Sequence, residues 1–254
     1  MNVTTQYLDK FYEKFSEIKR KGFIPATRKG STGIGELFES ELGKEEDNKA
    51  NPDFYDIEIK TKRDISNSLL TLFTKAPNYP KKANTYLREN YGNINPEYGD
   101  LKILHTTVSS DRFNSHIGGY SFKISVDREN EKVYLLVKDS SKNTVENTGI
   151  YYTFKALEKT FNQKLKNLAV VFAENEKIDN IEHFHYISVD FYYNPNFDNF
   201  INLLEDGSIV MDIRIGVYHN PEKTNFGKTH DHGTGFRMKT QYLSQLYSYH
   251  KVFE

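Results

Sequence analysis

Residues 52 to 63 read Pro52-Asp-Phe-Tyr-Asp-Ile-Glu-Ile-Lys-Thr-Lys-Arg63, a pattern that predicts a strand with two chemically different faces. Successive side chains of a strand point to opposite sides of the sheet. In a strand from Tyr55 to Lys62, Ile57 and Ile59 therefore point into a core. The opposite face carries the charged side chains of Asp56, Glu58, Lys60 and Lys62.

This charged face, preceded by Asp53 at a proline turn, has the layout of a Mg²⁺-dependent nuclease. Two of these carboxylates can hold the metal, which lowers the pKa of a bound water and offsets charge on the scissile phosphate. Lys60 can orient or deprotonate the attacking water and contact the same phosphate. Because the pattern is short, an amphipathic edge strand with solvated charges is the alternative interpretation.

A helix predicted from Glu36 to Leu42 brings a further acid to this region. Phe38 and Leu42 mark its buried side. Glu39 lies fourteen residues before Asp53, across a loop long enough to bring the helix beside the strand. A third carboxylate there could bind a second metal or position the water, and an ordinary solvent-facing glutamate is the alternative.

The composition excludes several classes of protein. The chain has 254 residues and no cysteine, so disulfides, thiolate chemistry, zinc fingers and iron–sulfur sites are excluded. Its longest apolar runs, such as residues 168–173, are too short to cross a membrane. The first residues lack a basic segment followed by an apolar one, so we expect no secretory signal and a cytoplasmic protein without membrane contact.

The net charge of -1 bears on how the chain could bind DNA. A protein that coats nucleic acid nonspecifically should be strongly basic. A sequence-specific enzyme needs only a local positive lining, and its own carboxylates count against the total. The charge therefore argues against a coating protein and leaves a specific enzyme possible.

Hydrophobic periodicity predicts a mixed α/β protein with many antiparallel connections. Residues 4–21 read as an amphipathic helix, and residues 220–235 as a polar loop. Residues 139–148 read as a loop of low hydrophobicity or a boundary between lobes. A last helix is predicted through Tyr242, Leu243, Leu246 and Tyr249.

Several blocks, in order along the chain, resemble the MvaI/BcnI family of restriction endonucleases, relatives of the mismatch-repair enzyme MutH in the PD-(D/E)xK superfamily. The blocks are Thr32-Gly-Ile-Gly-x-x-x-Glu39, Asp53, Glu58-Ile-Lys-Thr-Lys-Arg63, residues 68–75, residues 104–107, Asp212-Ile-Arg-Ile-Gly216 and His230-Asp-His-Gly-Thr-Gly-Phe-Arg237. The resemblance implies a restriction-endonuclease-like α/β fold, with a mixed central sheet flanked by helices and two sublobes forming a DNA-binding cleft. Residues 1–138 would form mainly the catalytic lobe and residues 139–254 mainly the DNA-recognition lobe.

The resemblance also implies the catalytic residues and the cofactor. The family's acids fall on Glu39, Asp53 and Glu58, and its lysine falls on Lys60. Asp53 and Glu58 would be the main ligands of Mg²⁺, with Glu39 completing the site and Asp56 as a rival ligand. Because none of the four positions is substituted, the resemblance implies an active enzyme.

The loop from Thr229 to Arg237 suits the reading of bases. His-x-His beside Asp could also bind zinc, but no further cluster of possible zinc ligands lies nearby in the sequence. Arginine pairs with guanine, aspartate accepts from cytosine, and histidine can do either. In the family this loop belongs to the recognition lobe. The candidate base-reading residues are therefore His230, Asp231, His232 and Arg237, with Arg214 as a weaker one.

Basic residues near the acidic strand and the glycine-rich loop suit contacts with the DNA backbone, which position the duplex without specifying sequence. The candidates are Lys29, Lys62, Arg63 and Lys75. The loop from Gly30 to Gly35 lacks the lysine spacing of an ATP-binding loop. Its glycines are better suited to close approach of the backbone to DNA.

The predicted function is that of a type II restriction endonuclease. Relatives of this kind act as monomers that nick each strand in turn, at short, nearly palindromic sites of the CC-N-GG type. We expect Mg²⁺-dependent hydrolysis of double-stranded DNA to 5′-phosphate and 3′-hydroxyl ends, without an obligate protein partner. The alternatives are a MutH-like repair enzyme, a catalytically silent DNA-binding module and an unrelated globular protein.

Overall fold

A computed structural model describes residues 3–30, 32–43, 52–64, 67–231 and 233–254. The helices α1 to α5 span Val3–Lys19, Gly33–Glu41, Ala83–Tyr91, Phe154–Leu165 and Phe197–Glu205. The strands β1 to β7 span Ile24–Pro25, Glu58–Arg63, Leu70–Thr74, Asn93–Ile94, Lys102–Val108, Tyr120–Asp127 and Lys132–Asp139. The strands β8 to β14 span Thr144–Thr153, Asn167–Ile178, Ile181–Pro195, Ile209–Val217, Thr229–Asp231, Gly235–Met238 and Tyr247–Phe253. None of the described helices is long and apolar enough to cross a membrane.

The described residues form two compact units that alternate along the chain. The first contains residues 1–70, 162–196 and 243–254, and the second contains residues 71–161 and 197–242. The sequence predicts a single division, between residues 138 and 139, and this division stays a prediction. The first unit combines distant segments because β9, late in the chain, pairs with β2, early in the chain. The assignment of catalysis and recognition to separate lobes stays a prediction.

The first unit contains a mixed sheet with strand order β1-β10-β9-β2, and β14 also pairs with β10. The pairing of β2 with β9 is parallel, while the other pairs are antiparallel. One face of this sheet packs against α1 and α2. Their apolar sides, which include Phe11, Phe15 and Phe38, form a core with Ile57 and Ile59. The predicted inward direction of the two isoleucines is therefore confirmed.

The strand β2 begins later than the sequence predicted. Phe54 and Ile57 pair across a tight turn in which Tyr55 has a φ of 53°, so residues 55 and 56 belong to the turn. Asp56 consequently does not lie on the strand face that Glu58 and Lys60 share. A turn at this point was not visible in the alternation of apolar and charged residues, which continues through it.

The second unit contains two further sheets. One has the order β3-β13-β11-β5-β4, with β12 also paired to β11, and the other has the order β6-β7-β8. The predicted loop at residues 139–148 is too long, because only residues 140–143 form a turn while Thr144–Thr153 forms β8 and pairs with β7. The predicted polar loop at residues 220–235 contains the short strand β12. Backbone hydrogen bonds hold β8 to β7 and β12 to β11. An antiparallel strand with one face in solvent can therefore form from a largely polar sequence.

The predicted last helix is also wrong. Thr240–Gln245 forms a short 3₁₀ helix, and Tyr247–Phe253 forms the strand β14. Tyr249 stacks on Tyr193 at 4.7 Å, and His250 stacks on Tyr192 at 4.4 Å. Because cross-strand aromatic pairs stabilise a sheet, these contacts favour the strand over a helix of similar spacing.

Phe38→Ala should lower the free energy of unfolding by about 3 to 5 kcal/mol, because it leaves a cavity in the core. Phe38 is 0% exposed, and its ring centroid lies 4.8 Å from that of Tyr186. Urea unfolding monitored by circular dichroism measures the loss. Ile178→Ala, at a side chain that is 45% exposed, is the control and should change stability by less than about 1 kcal/mol. Equal losses in both variants would contradict the proposed core.

Candidate active site

Glu58 is a buried acid at the start of β2, and two lysines hold its carboxylate. The residue is 4% exposed. Its Oε1 accepts a hydrogen bond from Nζ of Lys60 at 2.7 Å, and its Oε2 accepts one from Nζ of Lys164 at 3.2 Å. The contact with Lys60 confirms that the two predicted residues share one strand face. Two ammonium groups thus flank the single carboxylate of Glu58.

Lys164 was not predicted as a site residue. It lies in the last turn of α4, immediately before β9. Because β9 runs parallel to β2 and Leu168 lies opposite Glu58, the end of α4 reaches the start of β2. This long-range pairing brings residues 58 and 164 together, and local sequence patterns contain no signal for it.

Asp53 lies in the turn before β2 and is half-buried. Its Oδ2 accepts a hydrogen bond from the backbone N–H of Ile59 at 2.9 Å. The structure therefore brings the Asp53 carboxylate to the strand residue next to Glu58. A backbone donor of this kind fixes the orientation of the carboxylate.

Asp56, the rival ligand, is hydrogen-bonded to Asn167 at the start of β9. Its Oδ2 accepts a hydrogen bond from Nδ2 of Asn167 at 2.9 Å, and the same amide group reaches its backbone carbonyl at 3.2 Å. The other carboxylate oxygen, Oδ1, is buried and has no hydrogen-bond partner among the described residues. Asp56 therefore keeps one oxygen available.

Glu39 is half-buried near the end of α2, the helix that packs beside β2 as predicted. A Cβ added to Gly35 would lie 3.3 Å from Oγ1 of Thr61, so the helix and the strand are in close contact. A Cβ added to Gly33 would lie 2.3 Å from the carbonyl oxygen of Arg28. Packing within the protein thus leaves no room for a side chain at Gly33 and little at Gly35, a constraint separate from the predicted close approach to DNA. The catalytic role of Glu39 stays a prediction.

The acids at this end of β2 fit a divalent cation in their chemistry. Mg²⁺ prefers oxygen ligands and is often held by one or two carboxylates together with water and substrate phosphate. Asp53 and Glu58 supply two such carboxylates. Among the described residues no group of three or more histidines and acids is arranged to hold a metal. Both Glu58 oxygens are engaged by lysines in this structure.

The basic residues predicted to contact phosphates differ in their accessibility. Lys29 is exposed, and Lys75 is half-buried after β3. Lys62 is buried, and this burial lowers its pKa. Arg63 donates to Oε1 of Glu182 from Nε at 3.1 Å and from Nη2 at 2.8 Å, and it lies over the ring of Phe184.

A second cluster of charged side chains lies in the second unit, around Asp212 on β11. Arg214 donates to its Oδ2 at 3.0 Å and lies 2.9 Å from its Oδ1. Arg237, on β13, donates to Oδ2 at 2.6 Å, and the hydroxyl of Thr107 donates to Oδ1 at 3.0 Å. Two predicted arginines are therefore brought together by one acid that the sequence analysis left unassigned.

The strand register extends this cluster to further residues of one sheet face. Residues directly opposite each other in neighbouring antiparallel strands project on the same side. Arg214 lies opposite His105, and Gly216 lies opposite His230. His230 also stacks on Tyr218, with ring centroids 4.4 Å apart. Asp231, in β12, lies opposite Ile215 of β11, and His232 lies outside the described residues.

An open cavity of about 760 Å³ lies beside this face, within the second unit. Tyr98 and His219 stack in its lining, with ring centroids 4.2 Å apart. The other ring-bearing and basic residues of the lining are His105, Tyr218, Lys223 and His230. Such a lining offers aromatic faces, imidazole nitrogens and one ammonium group, all of which can contact nucleotides. His105 and Tyr218 were not predicted, although the alternation along β5 and β11 could have indicated them.

Comparisons with known proteins agree on one family. The model of the MvaI/BcnI restriction endonuclease family matches residues 12–247. The chain is similar to a solved complex of restriction endonuclease MvaI with its cognate DNA substrate, at 41% sequence identity and a TM-score of 0.88, over 97% of this chain and 98% of that one. It is also similar to MvaI in the absence of DNA, at 39% identity and a TM-score of 0.65, over 100% of both chains. No curated protein matches the sequence.

Proposed function

The chain belongs to the MvaI/BcnI restriction endonuclease family, and on that premise we propose that it is a Mg²⁺-dependent type II enzyme that cleaves double-stranded DNA at a specific site. The observation that carries the proposal is the group at the start of β2. It consists of the buried Glu58, of Lys60, whose Nζ lies 2.7 Å from the Glu58 carboxylate, and of Asp53, whose carboxylate accepts a hydrogen bond from the backbone N–H of Ile59. The acids of a nuclease site and its lysine are thus adjacent.

Asp53 and Glu58 would hold the metal, with Glu39 as a third acid on the neighbouring helix. When bound, Mg²⁺ supplies a water of lowered pKa and a positive charge for the scissile phosphate. Lys60 can donate a hydrogen bond to the attacking water or to a phosphate oxygen, because its ammonium group carries three donors. In this scheme the ammonium offsets the charge that develops in the transition state. The proposed products have 5′-phosphate and 3′-hydroxyl ends.

The arginines around Asp212 support site-specific reading. A guanidinium group forms paired hydrogen bonds with O6 and N7 of guanine, and a site of the proposed CC-N-GG type supplies guanines on both strands. Asp212, itself held by a hydrogen bond from Thr107, restrains Arg214 and Arg237 before DNA arrives, so less side-chain entropy is lost on binding. His230, Asp231 and His232 would contact further base edges.

Contacts with the DNA backbone would come from basic residues of both units. We propose Lys29, Lys62, Arg63 and Lys75, of which Lys29 is exposed. Arg63 would have to exchange its bond with Glu182 for a phosphate. We further propose that the protein acts as a monomer that nicks the two strands in turn, without an obligate protein partner.

Digestion of defined plasmids by the purified full chain tests the proposal. We expect discrete fragments in Mg²⁺ and intact plasmid in EDTA, and sequencing of the fragment ends would give the site. Nicked circles alone would favour the MutH-like repair enzyme. A gel shift without cleavage would favour the DNA-binding module, and the absence of both would contradict a nuclease.

A further inference from the structure

Lys164 is the second lysine that pairs with the buried carboxylate of Glu58. A buried carboxylate is costly unless it is paired, and Lys60 already provides a paired ammonium group. Lys164 adds a second ammonium at 3.2 Å from the other oxygen. Tyr247 also lies near Glu58, but burial raises the pKa of its hydroxyl well above the ordinary value, so it stays neutral. Each oxygen of Glu58 therefore has its own lysine partner, beside the carboxylates of Asp53 and Asp56 at the same end of β2.

We propose that Lys164 is a resident counter-ion of Glu58 that the catalytic metal must displace, so that this residue sets the affinity of the site for Mg²⁺. The inference rests on the proposed function. Lys164 occupies a carboxylate oxygen that a metal would need. Because it belongs to α4 and not to β2, it can release Glu58 without any change in the strand. Its flexible four-carbon side chain allows the ammonium group to move away.

The two lysines have different roles in this arrangement. Lys60 lies two residues from Glu58 on the same face of one strand, so the strand backbone holds it beside the acid whether or not a metal is bound. Lys164 is a positioning residue that stabilises the buried acid while the metal is absent. A positive charge at this position repels an entering cation. Its removal should therefore strengthen metal binding and lower the free energy of unfolding of the metal-free protein.

Calorimetric titration of the DNA-free full chain with Mg²⁺ tests the inference. Lys164→Met should bind Mg²⁺ about tenfold more tightly than the natural protein, because a unit charge near the site is removed. Lys166→Met is the matched control, since this exposed lysine lies two residues further along and has no contact with Glu58 among the described bonds. It should leave the affinity unchanged. Equal or weaker binding by Lys164→Met would overturn the inference.

A second measurement guards against a folding defect in the variant. Lys164→Gln keeps a hydrogen-bond donor without the charge, and it should also bind Mg²⁺ more tightly. In thermal melts without metal, both variants should have a lower Tm than the natural protein. Mg²⁺ should raise their Tm by more than it raises that of the natural protein, because a ligand stabilises the state that binds it. If the contact were only a structural salt bridge, the variants would have a lower Tm, but Mg²⁺ would raise it by the same amount as in the natural protein. That result would contradict the inference.

The outcomes also separate this inference from the proposed function. If the natural protein binds Mg²⁺ and cleaves DNA but Lys164→Met has the same affinity, only the role of Lys164 is wrong. If the natural protein neither binds Mg²⁺ nor cleaves DNA, both the function and the inference are wrong.

Discussion

Lys60→Ala should reduce the rate of DNA cleavage by roughly a thousandfold, while binding to the specific site is retained. The lysine is held at 2.7 Å from Glu58, at the point where the proposed metal and the scissile phosphate meet. Removing it takes away a donor and a charge that act in the transition state. Single-turnover cleavage of a short duplex measures the chemical step, and a gel shift in Ca²⁺ measures binding separately.

The second lysine makes this variant easy to interpret. Lys164 still pairs with Oε2 of Glu58 when Lys60 is absent, so the buried carboxylate is not left bare and the chain should fold. Lys159→Ala, at an exposed position of α4, is the control for the loss of one lysine and should cleave at the natural rate. Cleavage by Lys60→Ala within tenfold of the natural protein would exclude a catalytic role.

The centre of the candidate site could be predicted from the sequence because it is local. Ile57, Glu58, Ile59 and Lys60 alternate along one strand, and two residues on the same strand face are neighbours whatever the rest of the fold does. The contact of Glu58 with Lys164 joins residues that are 106 positions apart. It depends on the parallel pairing of β2 with β9, which no local periodicity specifies.

The error in the predicted last helix has a similar cause. Tyr242, Leu243, Leu246 and Tyr249 include spacings of three and four residues, as on a helix. Tyr249 and His250 nevertheless stack on partners in β10. Spacing alone does not reveal which neighbouring strand is available. In the second unit, Arg214 and Arg237 were each recognised as candidate DNA contacts. Asp212 lies two residues before Arg214 on one strand face, a local signal that was missed, whereas its contact with Arg237 depends on the pairing of β11 with β13.

Asp212→Asn should lower kcat/KM for the specific site by about a hundredfold while nonspecific DNA affinity changes little. The side chain of Asp212 is 6% exposed, and it accepts hydrogen bonds from both Arg214 and Arg237. The amide keeps the size of the side chain but removes its charge and one acceptor. Both guanidinium groups would then lose the restraint that aims them at base edges. Nonspecific binding depends mainly on phosphate contacts and should survive.

The ratio of cleavage at the specific site to cleavage at single-base variants distinguishes lost reading from lost folding. A protein that is merely destabilised loses activity on all sites in proportion, whereas released arginines reduce the ratio itself. Arg237→Lys provides the second arm, because it keeps the positive charge beside Asp212 and removes the planar fork that pairs with guanine. It should reduce the ratio with little loss of stability. Asp198→Asn, at an exposed acid of α5, should leave the ratio unchanged. An unchanged ratio in both Asp212→Asn and Arg237→Lys would mean that this cluster does not read DNA, and that the charged side chains around β11 only stabilise the sheet.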